Sequence, residues 1–386
     1  YITIKNVEKL EKKSDTYCFN EPLRHAGIFN GVILSQCTEI IEYSDDKEYA
    51  CCTLASIGLP SFVKNKKFDF VKLREITHII TKNLNKIIDL NFYPVPETEL
   101  SNKRHRPLGI GVQGLADVFI NMDIGFDSPE AKQLNKEIFA VIYYASMEKS
   151  LELAKKYKHY ETFKGSPLSE GKFQFDLWGV EPIKSVNGLE LYWDNLREQI
   201  KEHGVYNSLL LAPMPTASTS QIMGFNECFE PFTNNIYNRR TLAGEFFIIN
   251  KYLINKLIEL KIWNKDIKNK IIENKGSVQD INEIPEDIRK IFKTAYELHP
   301  KAIIDQSADR GAYICQSQSM NIFLDDPDIT KLSNMHFYSW KKGLKTGIYY
   351  LRTRPKARVQ SFSLEGKKYT KKNKENEETE CLSCGA

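Results

Sequence analysis

The sequence predicts an α/β fold built on a parallel sheet. Short apolar runs of strand length stand at Gly31–Leu34, Leu209–Leu211 and Ile348–Leu351. Longer stretches with apolar residues at helical spacing lie between them. Strands that alternate with helices join most simply as parallel crossover units. The 386 residues are 41% hydrophobic and 27% charged, a globular composition with ample material for a core.

Taken in order, residues 1–20 are polar and rich in Lys and Glu, an exposed start. Gly31-Val32-Ile33-Leu34 reads as a short buried strand leading into Cys37. Phe68 to Leu90 carries Val71, Ile76, Ile79, Ile80, Leu84, Ile87 and Ile88 at helical spacing and reads as a helix. Gly109-Ile110-Gly111-Val112-Gln113-Gly114 reads as a glycine-rich turn before a helix over Leu115–Met122. As a phosphate loop this turn is weak, because it lacks a Lys-Ser/Thr pair and the full dinucleotide pattern. Ala131 to Tyr157 is a long helix. Leu209–Leu211 is a strand ended by Pro213 and Pro215, and Pro215-Thr216-Ala217-Ser218-Thr219 begins a helix whose hydroxyls suit its free N–H groups. Gly244–Leu260 is expected to be helical, and Pro355 ends the strand at Ile348–Leu351. From Glu365 the chain is almost wholly Lys and Glu, a composition that cannot offset its ordering entropy. Residues 1–365 therefore read as one domain and 366–386 as a flexible tail.

Composition excludes several classes. Lys plus Arg number 54 against 50 for Asp plus Glu, a net charge of +4. That balance gives no reason to expect nucleic acid or an anionic membrane as partner. No apolar run reaches the roughly 18–20 residues that span a bilayer. No signal-peptide pattern opens the chain, so a cytoplasmic location is expected. The first residue is Tyr, so the chain is expected to be processed or a piece of something longer. Its eight cysteines are too sparse for a disulfide-stapled scaffold and read as filler, metal ligands or redox groups.

Four constellations offer chemistry. Cys37-Thr38-Glu39 sets a thiol two positions from a carboxylate, which on a strand puts both on one face; the plain alternative is a buried Cys and a surface Glu. Cys51 and Cys52 follow after an acidic loop. Cys381-Leu382-Ser383-Cys384 closes the chain: half a zinc site, an incidental pair, or a dithiol on a tether. No His lies nearby, so a dithiol is more economical; a tether of ~15 residues spans roughly 20 Å on average. Thr216, Ala217, Ser218 and Thr219 follow a strand where a helix N-terminus would favour phosphate, or simply cap the helix. Tyr349 and Tyr350 stand together in a strand-like run, where neighbours face opposite sides; they are core plus surface aromatics, or a pair of redox-active phenols.

Taken together, these segments resemble the C-terminal half of the large, catalytic subunit of class I ribonucleotide reductase. The resemblance runs from about Gly31 through CTEI at Cys37, NLNKIIDLNFYPVPETELSNKRHRPLGIGVQG at 84–114 and FKGSPLSEGKFQFDLW at 163–178. It continues through APMPTASTSQIMGFNECFEPFTNNIYNRRTLAGEF at 212–246, DRGAYICQSQSMN at 309–321, HFYSWKKGLKTGIYYLRTRP at 336–355 and the CLSC tail. It implies the second half of a ten-stranded α/β barrel with surrounding helices, the radical cysteine on a loop entering it, and a flexible tail.

The resemblance also implies an activity, radical reduction of ribonucleoside diphosphates to 2′-deoxyribonucleoside diphosphates for DNA synthesis. Cys37 would be the thiyl radical that takes the 3′-hydrogen, and Glu39 the base at the 3′-hydroxyl. Cys52, rather than its neighbour Cys51, would be one of two reducing thiols. Thr216, Ala217, Ser218 and Thr219 would hold the diphosphate. Tyr349 and Tyr350 would relay the radical from a small subunit with a di-iron site and tyrosyl radical. Cys381 and Cys384 would re-reduce the active-site disulfide and then be reduced by thioredoxin or glutaredoxin. No metal or cofactor is expected in this chain itself.

Two departures stand out. Where the family usually has an Asn two residues before the radical cysteine, this chain has Ser35, a substrate-binding candidate of shorter reach. The second thiol, the effector-binding regions and the first half of the barrel lie upstream in the family. The expectation is thus a piece that works with a separate N-terminal half, or a fragment of an intact subunit. A non-catalytic homologue with an interaction role and a zinc or thiol module centred on the tail are the alternatives.

Overall fold

The computed structural model describes the backbone of residues 26–29, 32–35, 38–241 and 244–354. The chain divides into two compact units, one of residues 1–37 with 355–386 and one of Thr38–Arg354. In the first, β1 (Ala26–Phe29) and β2 (Val32–Ser35) form an antiparallel hairpin with Ala26 opposite Ser35. The apolar run at 32–34 is therefore a hairpin strand. Cys37, the Lys/Glu-rich stretch and the tail cysteines Cys381 and Cys384 lie outside the described residues.

The second unit opens with β3 (Leu54–Gly58), β4 (Val63–Lys64), β5 (Lys67–Phe68), α1 (Phe70–Leu90), α2 (Pro96–His105), β6 (Gly109–Gln113), α3 (Leu115–Asn121) and α4 (Pro129–Tyr157). Asp69 starts α1 by accepting from the Lys72 N–H at 2.9 Å. The inward face of α1 is Phe70, Leu73, Leu84 and Ile88 together with Thr77 and Thr81. Both threonines return their hydroxyls to carbonyls one turn back, at 2.8 Å, and so enter the core without an unpaired donor. Val71, Ile79 and Ile87 remain exposed, so the helix is as expected but its core face is partly threonine. Ser128 caps α4, which is apolar nearly all round from Ile138 to Met147 and runs through the core against α1.

Residues 109–114 are not a turn. Gly109–Gln113 is a fully buried strand, parallel to β3 with Leu54 opposite Gly109. Its glycines serve close packing: a Cβ on Gly109 would come within 2.3 Å of the Leu54 side chain, and one on Gly111 within 3.1 Å of the Pro213 Cα. Only Gly114 turns the chain, at φ +79°.

Beside β6 runs the extended segment 209–212. Leu108 and Ile110 N–H donate to the carbonyls of Leu209 and Leu210, and Ala212 N–H returns to Ile110. The segment 316–319 follows, with Gln316 N–H on Leu211 and Ser319 N–H on Pro213. The expected parallel α/β core is thus present; among the described residues its strands do not close into a barrel.

Further along lie α5 (Gln174–Leu177), β7 (Ser185–Val186), β8 (Leu189–Glu190), α6 (Trp193–His203), α7 (Thr219–Met223), β9 (Ile236–Thr241), β10 (Gly244–Ile249), α8 (Lys251–Glu259), α9 (Lys265–Glu273), α10 (Glu286–Ile291), α11 (Pro300–Gly311), β11 (Ile322–Phe323), α12 (Ile329–Lys341) and β12 (Leu351–Arg352). The helix expected over 244–260 is half wrong. Gly244–Ile249 pairs antiparallel with β9, and α8 begins only after Asn250, whose side chain accepts from the N–H groups of Tyr252 and Leu253. An apolar run of strand length beside a helix cannot be separated from it by periodicity alone. A second, smaller core lies over α8–α10, with Leu253, Leu257, Ile267, Ile271 and Ile284. Among the described residues no helix is long and apolar enough to cross a membrane.

Candidate active site

Thr38 and Glu39 sit in a bend, not in a strand, so the expected two-residue facing of Cys37 and Glu39 has no strand to rest on. Glu39 is nevertheless buried, at 1% exposure, and is not the surface carboxylate of the plain alternative. Ser319 donates its hydroxyl to the Glu39 carboxylate, and the same hydroxyl lies 3.1 Å from Thr38 Oγ1. The Glu39 carbonyl accepts from Ser317 N–H at 2.9 Å.

A second carboxyl lies three residues on. Glu42 accepts from Gln316 Nε2 at 3.2 Å through Oε1, while its buried Oε2 has no partner among the described residues. Burial pushes its pKa up to about 7, against a smaller lowering by the Gln316 amide. Cys51 and Cys52 are free thiols, Cys52 the more exposed. Loss of hydration raises the pKa of both, and the charge of Glu42 raises both further; Cys52 also feels Cys51 and Glu39.

The Thr216–Thr219 run splits into two kinds of residue. Thr216 is buried, and its Oγ1 accepts from Cys228 N–H at 2.7 Å. Ser218 and Thr219 are exposed and Ala217 half-buried, at the start of a helix of only five residues. Ser220 bonds back to the Thr216 carbonyl at 2.6 Å and fixes the turn.

Tyr349 and Tyr350 do not face opposite sides. Their ring centroids lie 3.9 Å apart at an interplanar angle of 37°. The strand begins only at Leu351, so the alternation rule does not reach the pair. Tyr349 N–H donates to the Met320 carbonyl at 2.7 Å and Tyr350 N–H to Asn321 Oδ1 at 3.1 Å.

The residues missed at the sequence level are those of Gln316–Asn321. This segment bonds to both carboxyls, to the strand end ahead of Thr216 and to the tyrosine pair. Gln316 holds Glu42, Ser317 and Ser319 hold Glu39, Ser319 N–H holds Pro213 ahead of Thr216, and Met320 and Asn321 hold the tyrosines. Its polar residues are all buried. The available signal was a run of Gln, Ser and Asn between two apolar stretches, which reads as a loop unless every polar group has a partner.

Behind it, Asn321 Nδ2 donates to Glu230, a buried carboxyl whose pKa burial raises to about 8. Arg310 is fully buried beside it, bonded to Gln318, Asn135 and Ser307, with its guanidinium 3.9 Å from the Phe229 ring centroid. Burial lowers its pKa to about 9. Among the described residues no group of three or more His, Cys, Asp or Glu is arranged to hold a metal ion.

Comparison with known proteins gives concordant results. The family model described as the ribonucleotide reductase barrel domain matches residues 33–350. The ribonucleoside-diphosphate reductase large chain of Cryptosporidium parvum is 55% identical over 354 residues, covering 91% of this chain and 44% of that protein. The large subunit of Caenorhabditis elegans is 52% identical over 358 residues, covering 90% and 45%. The solved class Id ribonucleotide reductase alpha subunit of Actinobacillus ureae superposes with a TM-score of 0.61 at 27% identity, over 82% of this chain and 52% of that one. The chain spans less than half the length of the Cryptosporidium and Caenorhabditis proteins.

Proposed function

The chain belongs to the ribonucleotide reductase barrel-domain family, and from that premise we propose that it is the C-terminal part of a ribonucleoside-diphosphate reductase large subunit. In this reading it reduces ribonucleoside diphosphates to 2′-deoxyribonucleoside diphosphates, together with an N-terminal half and a radical-generating small subunit. The observation that carries the proposal is the single buried segment Gln316–Asn321, which bonds to the Glu39 carboxylate, to the carboxyl beside Cys51 and Cys52, and to the backbone of the Tyr349–Tyr350 pair.

Each group has a task. Tyr349 and Tyr350, ring against ring, pass the radical toward Cys37. A thiyl radical there takes the hydrogen from ribose C3′. Glu39, fixed by Ser319, accepts the 3′-hydroxyl proton, which requires a carboxylate held within hydrogen-bond reach. The 2′-hydroxyl then leaves as water, and once the sugar is reduced the Cys37 thiol returns its hydrogen to C3′ and Glu39 its proton to the 3′-oxygen. Cys52 and a second thiol from the N-terminal half supply two electrons and two protons and become a disulfide. Ser218, Thr219 and the backbone at Ala217 receive the diphosphate, while Thr216 shapes their turn through Cys228. Ser35 stands in for an amide that would otherwise hold the substrate hydroxyls. Cys381 and Cys384 carry electrons in from thioredoxin or glutaredoxin, which suits a reducing cytoplasm. Nucleotide effectors bind the N-terminal half, and the di-iron/tyrosyl-radical cofactor belongs to the small subunit.

The test is conversion of labelled CDP to dCDP by this chain mixed with a matching N-terminal half, the small subunit and a dithiol. Turnover is expected, with none in Cys37→Ser. A stable complex that turns over no CDP would sink the reading in favour of a non-catalytic homologue.

A further inference from the structure

We propose that Glu42 is the proton-holding group of the reducing-thiol site, exchanging a proton with Cys52 while Gln316 positions it. The inference rests on the reductase reading and names a residue that this reading leaves idle.

Glu42 is placed for the task by three features. One oxygen, Oε2, is buried and has no partner among the described residues. A buried polar atom left without a partner is costly and calls for an explanation. The other oxygen is held by Gln316, whose own orientation is locked: its Oε1 accepts from Ile41 N–H at 2.8 Å and its Nε2 also donates to the Leu108 carbonyl at 3.0 Å. The carboxyl also lies within electrostatic range of both thiols.

The surroundings favour proton exchange. The ionisable groups facing the thiols are Glu42, Glu39, the Tyr93 phenol on the Cys51 side, and each other. Glu39 is already engaged by Ser319. Lys345 lies behind Gln316, with its ammonium on the carbonyls of residues 314–316. With a pKa of about 7, Glu42 is matched to a thiol far better than an ordinary carboxyl is. Proton transfer is most effective when donor and acceptor are so matched.

The step balances. A thiolate of an external dithiol attacks the sulfur bonded to Cys52. A new S–S bond forms, the bond to Cys52 breaks, and Cys52 leaves as thiolate. The second thiolate of the external dithiol then attacks that mixed disulfide and releases the partner sulfur as thiolate, so the dithiol supplies both electrons and ends as a disulfide. Glu42 then gives its carboxyl proton to Cys52 Sγ and becomes a carboxylate, to be reprotonated from solvent. In the forward reaction the same carboxylate takes the thiol proton.

The experiment is alkylation of Cys52 by iodoacetamide in the full chain, read by mass spectrometry from pH 6 to 9. Glu42→Gln and the parent, both carrying Cys51→Ser, are compared. Below pH 7 Glu42 is neutral in the parent, and the two rates should agree. Above it the parent's Glu42 charge holds back the thiolate, so the Gln variant should be faster by about threefold to tenfold, a tenfold ratio being one pKa unit. The ratio should rise with a midpoint near pH 7.

Glu42→Asp keeps the charge and should follow the parent. The parent alone should show a slope of log rate against pH below one between pH 6.5 and 7.5. A flat ratio, or a slope of one throughout, overturns the proposal. So does Glu42→Asp behaving like Glu42→Gln. Alkylation needs neither substrate nor small subunit, so its failure leaves the reductase reading standing. Absent CDP turnover would sink that reading without touching the alkylation profile.

Discussion

Ser319 donates a buried hydrogen bond to the carboxylate of Glu39, a residue 280 positions away in the chain. Nothing local in either segment announces the contact, yet it fixes the acid–base group of the proposed site. A hydrogen bond to a charged group contributes about 1.5–3 kcal/mol. Ser319→Ala should therefore lower the unfolding free energy by that much, seen as a lower urea midpoint at unchanged slope. Its turnover should fall less than that of Glu39→Gln, for which about a 10²–10⁴-fold loss is expected. An unchanged midpoint would show that the serine contributes nothing to holding Glu39.

Tyr349 and Tyr350 lie in ring-to-ring contact, tilted by 37°. Phe keeps the ring and removes only the phenol. Tyr349→Phe and Tyr350→Phe should melt within a few degrees of the parent, and each should abolish CDP reduction. Turnover retained in both would exclude the relay role.

Gly109 and Leu54 are directly opposite in the parallel pair, and a Cβ on Gly109 would overlap the Leu54 side chain. Gly109→Ala should cost about 1–3 kcal/mol, as overpacking does. Leu54 is more than a third exposed, so truncating it is cheap and makes room. The double variant Gly109→Ala with Leu54→Ala should recover at least about 0.5 kcal/mol relative to the sum of the singles. Strict additivity in thermal unfolding would mean that another neighbour sets the limit.

Glu230 makes stability depend on pH. Its carboxyl pKa is about 8 in the fold against 4.5 for the free group, because burial disfavours the charge. Between those values the folded chain holds a proton that the unfolded chain releases. Stability from this group is therefore greatest at low pH and falls as pH rises from about 4.5 to about 8, by at most about 1.4 kcal/mol per unit. Glu230→Gln should flatten that slope and be more stable than the parent at pH 8. Parallel pH profiles for the two proteins would refute the assignment.

How far the sequence reached can be told from particular residues. The helices at 70–90 and 129–157 were legible because their apolar spacing is a local property of the backbone. The stretches 109–113 and 244–249 were not. Glycines that read as a turn are there to let Leu54 and Pro213 approach, and a strand-length apolar run joined to a helix carries no mark of its own boundary. The tyrosine pair was found, but its ring-to-ring contact was not, because alternation applies only inside a strand and the strand starts one residue later.

By itself the sequence determined the α/β class, the two long helices and the residue types able to do the chemistry, through composition, periodicity and long runs resembling one family. The tertiary structure alone decided which of them meet. Gln316–Asn321 looks hydrophilic and loop-like in the sequence, yet it is buried, because Glu39 and Glu42, Pro213, and Tyr350 satisfy its polar groups from three distant parts of the chain. Hydrogen bonds that offset the cost of burial are set by neighbours in space, and no local pattern can encode them.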